Sequence, residues 1–588
     1  MNRRLLPLYA VFGALAMNPA VADAQFLRPR DVDALPSRAA DARIAYGTDS
    51  LQFGSNRLFI GDASQRVMRR NGQLMIFSGT VVPPAPVYQY PFTSTRSLSP
   101  VHHHPLGSLS MHRFFVVALV ALALPLGAQQ RAAVFTPGSL SAHQQLTRDI
   151  YKELVEINSS VTTGNITTAA VAMAKRFKDA GIPDADIFVG GPRPEKHNVV
   201  ARIRGKGGPG AAKPILLLAH LDVVEALKSD WSPDLDPFVF LERDGYYYGR
   251  GTADDKAMAA IFVANVYRLK KEGYVPDRDI IIALTADEES GPANGVDWLL
   301  KNHRALVDAA LVINEGGGGT LRDGKPLFNT VQATEKITTN LTLRSTNKGG
   351  HSSVPRDDNA ITSLADALGK VGRYKFGVHL NDVTRAFFSK TADLETPAMG
   401  RAMKALVANP SDAAAVDVVS RDVRYNSMLR TTCVATMLTG GHATNALPQL
   451  AEANINCRVY PTSTASEVRA ELAKAIADTT VNVIIKSERP ASPPSALLAE
   501  VMQPVGQITK DLFGDIPVIP VMSTGATDSR FFRALGVPAF GVSGLFSDPS
   551  VDARAHGRDE RMAVKSFFEG QEFLYRLTKA LTTTRVVP

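Results

Sequence analysis

The stretch Pro214-Ile-Leu-Leu-Leu-Ala-His-Leu-Asp222 decides the fold. Its short apolar run follows a segment rich in glycine and proline, which is typical of a buried strand in an α/β sheet. Side chains two apart on a strand point the same way, so His220 and Asp222 share one face at its carboxyl end, where open α/β sheets place their sites. A nearby carboxylate often supports a metal-binding histidine. The pair alone is equally compatible with an ordinary core histidine.

The positive charge of the chain is concentrated near its amino terminus. Residues 1–130 contain 12 Arg and 6 Asp but no Lys or Glu, and they account for most of the formal net charge of +8. The rest of the chain is nearly neutral, so we expect no nucleic-acid partner. The change in composition predicts a boundary near residue 130, and 588 residues are enough for several domains with complete cores.

Two segments resemble signal peptides. Residues 1–24 and 111–128 each combine basic residues, a short apolar stretch and small residues before a glutamine. Both stretches are too short to cross a membrane comfortably, so we expect no stable membrane span. We predict that the natural product starts at Met111 and is cut near Ala128, which implies a secreted or periplasmic location and makes residues 1–110 a disordered or non-native leader. The alternative is export through the first segment, with the second docked as a buried helix.

Alternating strand and helix patterns define the main domain. They occupy residues 129–334 and resume over 492–588, which predicts a doubly wound, largely parallel sheet of the phosphorylase/hydrolase-like α/β class. Between them, residues 335–491 show period-two strands in the order strand, helix, strand, strand, helix, strand. This order predicts an inserted α+β sandwich, a lid domain. An additional helical element is expected near residues 380–426.

Acidic and histidine residues follow the predicted strands of the main domain. Adjacent carboxylates would normally be solvated, but after apolar strands they are carried to the sheet edge, where burial requires a counter-charge. Three carboxylates and two imidazoles form a ligand set for two divalent ions of the zinc type. These residues are His220, Asp254, Glu289, Glu315 and His556.

Six motifs in order resemble a known di-zinc peptidase family. They are His-Leu-Asp222, Tyr-Gly-Arg-Gly-Thr-Ala-Asp-Asp-Lys256, Asp-Glu-Glu-Ser-Gly291, Asn-Glu-Gly316, Gly-Gly-His-Ser-Ser353 and Ala-His-Gly-Arg-Asp-Glu560. The family includes glutamate carboxypeptidase, aminoacylase, carnosine dipeptidase and succinyl-diaminopimelate desuccinylase. The resemblance covers residues 136–588 and is specific because six motifs occur in the family's order.

The resemblance implies a metal centre and a general base. Asp254 would bridge two Zn²⁺ ions, for which Co²⁺ or Mn²⁺ could substitute, and a cis peptide often follows this residue in the family. His220 and Glu315 would complete one site, and Glu289 and His556 the other. Glu288 would be the general base. Asp222 would orient His220.

The resemblance also implies a set of substrate-binding residues. His351, on the lid, would polarise the scissile carbonyl after domain closure. Asn445 and Arg458 would hold the substrate, with Arg458 binding a carboxylate in a bidentate manner. Gly525 and Thr527 would line the pocket wall. The alternatives are a turn histidine at position 351 and an exposed strand residue at position 458.

The expected function is that of an exported zinc-dependent hydrolase cleaving a terminal amide bond, most simply a carboxypeptidase. An N-acyl-amino-acid deacylase or dipeptidase is the alternative, so the expected partner is a small peptide or an N-acyl amino acid. A catalytically inactive peptide-binding protein on the same fold is less consistent with an intact set of ligands and base. Family members often form homodimers through the lid, but a larger lid can replace the partner. Whether Cys433 and Cys457 pair stays open.

Overall fold

The computed structural model describes residues 134–207, 212–289, 293–487 and 490–583, together with six short strands between residues 24 and 78. The chain divides into two compact units, Met1–Leu124 and Pro125–Pro588. The strands of the first unit are β1 (Ala24–Phe26), β2 (Ala42–Ile44), β3 (Ser50–Phe53), β4 (Asn56–Phe59), β5 (Gln65–Arg70) and β6 (Gln73–Ser78). They form two three-stranded antiparallel sheets, ordered β1-β6-β5 and β2-β3-β4. The rest of the predicted leader and the whole predicted signal segment 111–128 lie outside the described residues, so both remain predictions.

The second unit begins with the first part of the main domain. Its helices are α1 (Ala142–Glu156), α2 (Ile166–Asp179), α3 (Lys256–Lys271), α4 (Gly295–Asn302) and α5 (Arg304–Val307). Its strands are β7 (Ile187–Gly190), β8 (Asn198–Ile203), β9 (Ile215–His220), β10 (Leu241–Arg243), β11 (Tyr246–Tyr248), β12 (Ile280–Thr285), β13 (Leu311–Asn314), β14 (Gly319–Arg322) and β15 (Lys325–Glu335). The predicted alternation of strands and helices is therefore present in this part of the chain.

The predicted lid segment follows, and the chain then returns to the main domain. The lid elements are β16 (Ile337–Thr346), β17 (Gly350–His351), α6 (Ala360–Arg373), α7 (Asp382–Thr391), α8 (Pro397–Ala408), α9 (Ala413–Ser420), α10 (Val423–Leu429), β18 (Thr432–Gly440), β19 (Ala446–Leu447), β20 (Leu450–Val459), α11 (Ala465–Ile476) and β21 (Val481–Ser487). The returning elements are α12 (Ala499–Phe513), β22 (Val518–Ser523), α13 (Ser529–Ala534), β23 (Ala539–Gly541), β24 (Phe546–Ser547), α14 (Pro549–Asp552), β25 (Arg561–Ala563) and α15 (Val564–Thr582). Among the residues that the structure describes, no helix is both long and apolar enough to cross a membrane.

Strand β9 lies inside a ten-stranded sheet with the order β24-β14-β15-β23-β13-β9-β12-β8-β7, in which β22 pairs with β15. It is parallel to both neighbours, β12 and β13. At one end of the sheet, β8 runs antiparallel to both of its own neighbours, β12 and β7. All six β9 residues are buried because helices cover both faces. Ile215 and Leu217 join the core formed with α1, α2, α3 and α15, and Leu216 and Leu218 join the opposite core with α4. The α/β class is confirmed, with a mixed sheet whose parallel strands are central.

The parallel centre of the sheet brings three chain segments to one edge. His220, at the end of β9, lies in register with Thr285, at the end of β12. Strand β13 runs parallel on the other side of β9 and ends at Asn314. Residues that directly follow these strands therefore emerge side by side, as expected at the carboxyl edge of an α/β sheet.

The lid contains a four-stranded antiparallel sheet with the order β18-β20-β16-β21. Helices α6 and α11 cover one face, where Leu364 and Leu472 pack against strand residues such as Leu341 and Ile455. The predicted additional helical element is confirmed as the four helices α7–α10. These helices form a core of their own that includes Ile519 and Met522 of β22, so they connect the lid to the main domain.

A disulfide joins two neighbouring strands of the lid sheet. Cys433 on β18 and Cys457 on β20 are direct partners in the strand register. Their sulfur atoms are bonded at 2.06 Å. The pairing that the sequence left open therefore follows from the register of β18 against β20.

Candidate metal centre

The first group of candidate metal ligands consists of His220, Asp254 and Glu315. His220 ends β9, Glu315 directly follows β13, and Asp254 lies just before α3. His220 Nε2 lies 2.9 Å from Asp254 Oδ1 and 3.9 Å from Glu315 Oε1. Because His220 is only 2% exposed, these donor atoms converge on a point well inside the sheet edge.

The second group consists of Asp254, Glu289 and His556. His556 Nε2 lies 3.1 Å from Asp254 Oδ2 and 2.9 Å from Glu289 Oε2. His556 lies in the loop before β25 and has a positive φ of 63°. Since Asp254 contacts His220 through Oδ1 and His556 through Oδ2, it is the member common to both groups. Its position is the one expected of a bridging carboxylate.

The two groups fit a pair of divalent cations. Each offers three nitrogen and oxygen donors that lie within 4.8 Å of one another, a donor set suited to zinc. Glu289 Oε1 is buried and has no hydrogen-bond partner among the described residues, which is unfavourable for a carboxylate unless a cation neutralises it. Hydrogen bonds to the carboxylates of Asp254 and Glu289 raise the pKa of His556 to about 10. The Asp254–Asp255 peptide bond is cis, which confirms the expectation from the resemblance.

Asp222 contacts His220 through its main chain. His220 Nδ1 donates to the carbonyl oxygen of Asp222 at 2.9 Å, whereas the carboxylate oxygen Oδ1 is 3.8 Å away. Because a carbonyl oxygen can only accept, Nδ1 carries the proton in this bond. In the neutral ring, Nε2 then carries the lone pair that can bind a cation on the side facing Asp254. The Asp222 carboxylate instead accepts from the amides of Glu288 and Glu289 at 3.1 and 3.0 Å. Asp222 thus fixes the position of the Glu288–Glu289 turn as well as the ring of His220.

Glu288 lies beside the two ligand groups without belonging to either of them. Burial raises its pKa well above the usual range, and the nearby carboxylate of Asp528 adds to this effect. Asp528 is itself held by the side-chain amide of Asn294 at 2.7 Å. A carboxyl group with a raised pKa is suited to accept and return a proton near neutral pH.

A buried ion pair supports the backbone of the shared ligand. Glu560 accepts hydrogen bonds from the amides of Ala253 and Asp254 at 2.7 and 3.2 Å and from Arg250 at 2.6 Å. Arg250 also donates to the carbonyl oxygen of His556 at 3.4 Å. Glu560 is fully buried. The ion pair therefore joins the segment that carries Asp254 to the loop that carries His556, away from solvent. Sequence reasoning missed these two residues, although both lie within motifs that carry the resemblance.

The lid residues lie in two different places. His351 and Asn445 are exposed and adjacent, because His351 pairs with Ala446 in the β17–β19 ladder and Ser352 donates to the carbonyl oxygen of Asn445. The Nδ1 atom of His351 bonds to Ser353 in its own loop. Arg458 lies near the base of the lid on β20, where it donates to Thr338 at 2.7 Å. Burial lowers the pKa of Arg458 from its ordinary value.

The predicted pocket-wall turn is connected to the start of the lid. The Thr527 hydroxyl donates to Glu335 at 2.8 Å and accepts from the amide of Ser529 at 3.2 Å, so its hydrogen-bonding capacity is taken up within the protein. Gly525 is anchored through its amide to the Ser523 hydroxyl at 3.1 Å. Glu335 also accepts from Gln332 at 2.7 Å. Thr527 is therefore placed to shape this turn through Glu335, a residue that the sequence did not single out.

Comparisons with known proteins identify the family to which this chain belongs. The model of Peptidase family M20/M25/M40 matches residues 216–580. The chain is 30% identical to human N-fatty-acyl-amino acid synthase/hydrolase PM20D1 over 391 residues, covering 64% of this chain and 76% of that protein. It is 29% identical to the probable carboxypeptidase S-like 2 of Dictyostelium discoideum over 383 residues, covering 64% and 73% respectively. The fold is similar to that of the M20 family metallo-carboxypeptidase Sso-CP2 from Sulfolobus solfataricus, with a TM-score of 0.56, 19% identity, and coverage of 74% of this chain and 99% of that one. The chain thus belongs to peptidase family M20/M25/M40 and is a hydrolase of the metallopeptidase and amidohydrolase type.

Proposed function

We propose that this hydrolase uses two zinc ions to cleave an amide bond whose nitrogen belongs to a residue with a free carboxylate, most simply as a carboxypeptidase. The observation that carries the proposal is the pair of ligand groups sharing Asp254, with Glu288 beside them. A binding protein without catalytic function would have no need for a buried, separate carboxyl group next to a complete set of donors. The similarity to a probable carboxypeptidase supports the same assignment.

The bound ions would supply the acidity that lets water ionise near neutral pH and would polarise the scissile carbonyl. Glu288 accepts the proton of the attacking water and delivers it to the leaving nitrogen. Asp222 keeps Glu288 in place by accepting from its amide at 3.1 Å. The water oxygen becomes part of the new carboxylate, and the amine leaves with the transferred proton.

The lid would contribute to binding and to stabilisation of the transition state. Arg458 binds the substrate carboxylate, Asn445 adds a hydrogen bond, and His351 donates to the developing oxyanion after closure. His351 and Asn445 are exposed beyond the end of the lid sheet that lies opposite to Arg458, so they are too far from Arg458 of the same chain to share one small substrate with it. In the homodimer proposed below, they would act on the substrate held by the second copy.

A second candidate is hydrolysis of N-acyl amino acids. The similarity to an N-fatty-acyl-amino acid synthase/hydrolase at 30% identity favours it. Both candidates require the same scissile bond and the same free carboxylate, and they differ in the group on the acyl side. Purified protein assayed against C-terminally unblocked peptides and N-acyl amino acids would separate them. Metal analysis should find two equivalents of zinc, and a protein that retains no metal and cleaves neither class would contradict the proposal.

We also propose that the protein is exported and that its lid can form a homodimer. Export is supported by the signal-like sequence 111–128 and by the disulfide between Cys433 and Cys457. Dimerisation is supported by exposed apolar side chains on the edge strand β18, including Val434, Met437 and Leu438. Amino-terminal sequencing from the native host tests the first proposal, because a terminus near Gln129 supports it and one near Gln25 contradicts its proposed start. Sedimentation analysis tests the second.

A further inference from the structure

A buried ion pair lies at the start of the Glu288–Glu289 turn. Lys196 Nζ lies 2.8 Å from Asp287 Oδ1, and the two side chains are 7% and 0% exposed. Lys196 belongs to the segment between β7 and β8, whereas Asp287 lies between β12 and the general base. A buried charge is costly unless it is paired, so this contact restricts where the Asp287 carboxylate can lie. No proposed catalytic step uses either residue.

The backbone of Asp287 is in the left-handed region, with a φ of 57°. Residues with a side chain are uncommon in this region, although aspartate and asparagine enter it more readily than most. The next two residues, Glu288 and Glu289, both direct their amides to the Asp222 carboxylate. The conformation of Asp287 therefore sets the direction in which the two glutamate side chains leave the turn.

Two neutral groups also hold Asp287. Its Oδ2 accepts from the amide of Ala293 at 3.3 Å, and its carbonyl oxygen accepts from the side chain of Asn294 at 3.2 Å. Compared with these two partners, Lys196 differs in carrying a positive charge. It is therefore the partner that offsets the charge of the buried Asp287 carboxylate.

A second contact fixes the Lys196 ammonium. It donates to the carbonyl oxygen of Val161, whose own amide donates to the carbonyl oxygen of Val223 at 3.2 Å. Val223 directly follows Asp222, whose carboxylate holds the Glu288–Glu289 turn. Lys196 thus connects this turn with the chain segment at the end of β9.

Asn198 provides a second contact from the same segment. Its Oδ1 accepts from the amide of Ala286 at 3.0 Å. A Cβ atom on Gly295 would lie 1.8 Å from this oxygen, so the Asn198 side chain has no free space on that side. Lys196 and Asn198 therefore hold the two residues that directly precede Glu288.

We propose that Lys196 is a positioning residue of the metal centre. Through Asp287 it fixes the turn so that Glu289 can bind a cation and Glu288 can reach the attacking water. The inference rests on the proposed function, because it specifies how the general base and one ligand are held. Since the Lys196 ammonium is bound to Asp287 and to the carbonyl oxygen of Val161, it acts through the turn and not on the substrate.

Zinc binding by the full chain tests this proposal without the need for a substrate. Lys196→Met keeps the apolar part of the side chain but removes its charge. In chelator competition, one of the two zinc affinities should fall by about 10- to 100-fold, as is typical for residues that orient metal ligands. The other affinity should stay unchanged, because the group of His220, Asp254 and Glu315 lacks a residue of the turn. Lys196→Arg retains the charge and should recover most of the loss.

Arg268→Met is the matched control for a loss of stability alone. Arg268 pairs with Glu572 at 2.7 Å, with exposed fractions of 29% and 18%, and joins α3 to α15. It lies at the end of α3 that is remote from the metal centre. This variant should unfold at a lower urea concentration than the wild type but keep both zinc affinities and kcat.

Turnover at saturating zinc gives a second measurement. Lys196→Met should lower kcat by about 10- to 100-fold with little change in KM, because a displaced general base affects the chemical step and not substrate binding. The double variant Lys196→Met/Asp287→Asn removes the unpaired buried charge, so it should regain stability but neither kcat nor the lost zinc affinity. It also provides the test if Lys196→Met does not fold.

Two results would overturn the proposal. One is wild-type zinc affinities and kcat in folded Lys196→Met. The other is full recovery of zinc affinity in the double variant, because the loss would then come from the buried charge and not from the position of the turn. A wild-type protein that binds zinc but cleaves no amide would instead refute the proposed function, and the zinc affinities would still decide the role of Lys196.

Discussion

Replacing Glu560 with glutamine should weaken metal binding although Glu560 belongs to neither ligand group. Its carboxylate is the partner of Arg250 at 2.6 Å and holds the amides of Ala253 and Asp254. Glutamine retains a hydrogen-bond acceptor but loses the charge, and Arg250 is only 3% exposed. Removing one partner from a buried ion pair typically costs about 3–5 kcal/mol. Because glutamine preserves part of the bonding, we expect a loss near the lower limit, about 3 kcal/mol in the free energy of unfolding.

The same change should reduce zinc affinity by about 10- to 100-fold, as is typical for residues that orient metal ligands. Chelator competition measures this affinity, and urea unfolding without metal measures the stability separately. Glu242→Gln is the matched control, because Glu242 also pairs with an arginine, Arg148, at 2.9 Å, but its side chain is 43% exposed. An exposed pair contributes about 0–1 kcal/mol, so the control should change stability little and zinc affinity not at all.

The double variant Arg250→Met/Glu560→Gln distinguishes the two effects of Glu560. If the stability loss comes from an unpaired buried guanidinium, removing Arg250 as well should recover part of it. Zinc affinity should stay low, because the amides of Ala253 and Asp254 still lack their carboxylate partner. The reasoning is refuted if Glu560→Gln binds zinc like the wild type and loses no more stability than the control.

Three further predictions concern the metal centre, the lid histidine and Lys336 at the start of the lid. Glu288→Gln should lower kcat by at least ~10²-fold with zinc content unchanged, whereas Glu289→Gln should lose zinc. Turnover and metal analysis measure these two effects. Equal zinc loss in both variants would contradict the separate roles. His351→Ala should lower kcat by about 10²–10³-fold with full zinc occupancy, and activity recovered in demonstrated hybrid dimers with Glu288→Gln would show donation across a dimer. Burial lowers the pKa of Lys336 from 10.5 to about 7, so the folded state binds fewer protons than the unfolded state between these values. The wild type should therefore gain about 2 kcal/mol of stability from this residue between pH 7 and pH 9, a gain that Lys336→Met should lack in urea unfolding at the two pH values.

The alternation of strands and helices along the chain and the composition of the ligand groups could be predicted because the relevant information is local. Strand β9 is a continuous apolar run, and the residues grouped around Asp254 each directly follow a strand or a recognisable motif. Parallel strands then bring these residues to one edge, wherever they lie along the chain.

The supporting contacts could not be predicted because they join residues far apart in sequence whose types are common. Glu560 and Arg250 are 310 positions apart, and Thr527 and Glu335 are 192 apart. A sequence position does not show whether such a side chain bonds to a neighbour or faces solvent. The same limit applies to Asp222, where the residue was predicted to contact His220 but the carbonyl oxygen, not the carboxylate, makes the bond.

The residues that carry the two proposed functions of the lid lie far apart along its sheet. Glu335 is anchored in the main domain by Thr527, whereas the adjacent Lys336 donates to the lid at the carbonyl oxygen of Ser427. Arg458 lies near this junction, opposite Thr338, but His351 lies beyond the far end of the ten-residue strand β16, roughly 33 Å along the strand at about 3.3 Å per residue. His351 and Arg458 belong to the same lid, so rotation of the lid as a whole leaves this separation unchanged. One small substrate therefore does not contact both residues of the same chain, which favours the proposed homodimer, in which His351 of one copy would act on a substrate held at Arg458 of the other.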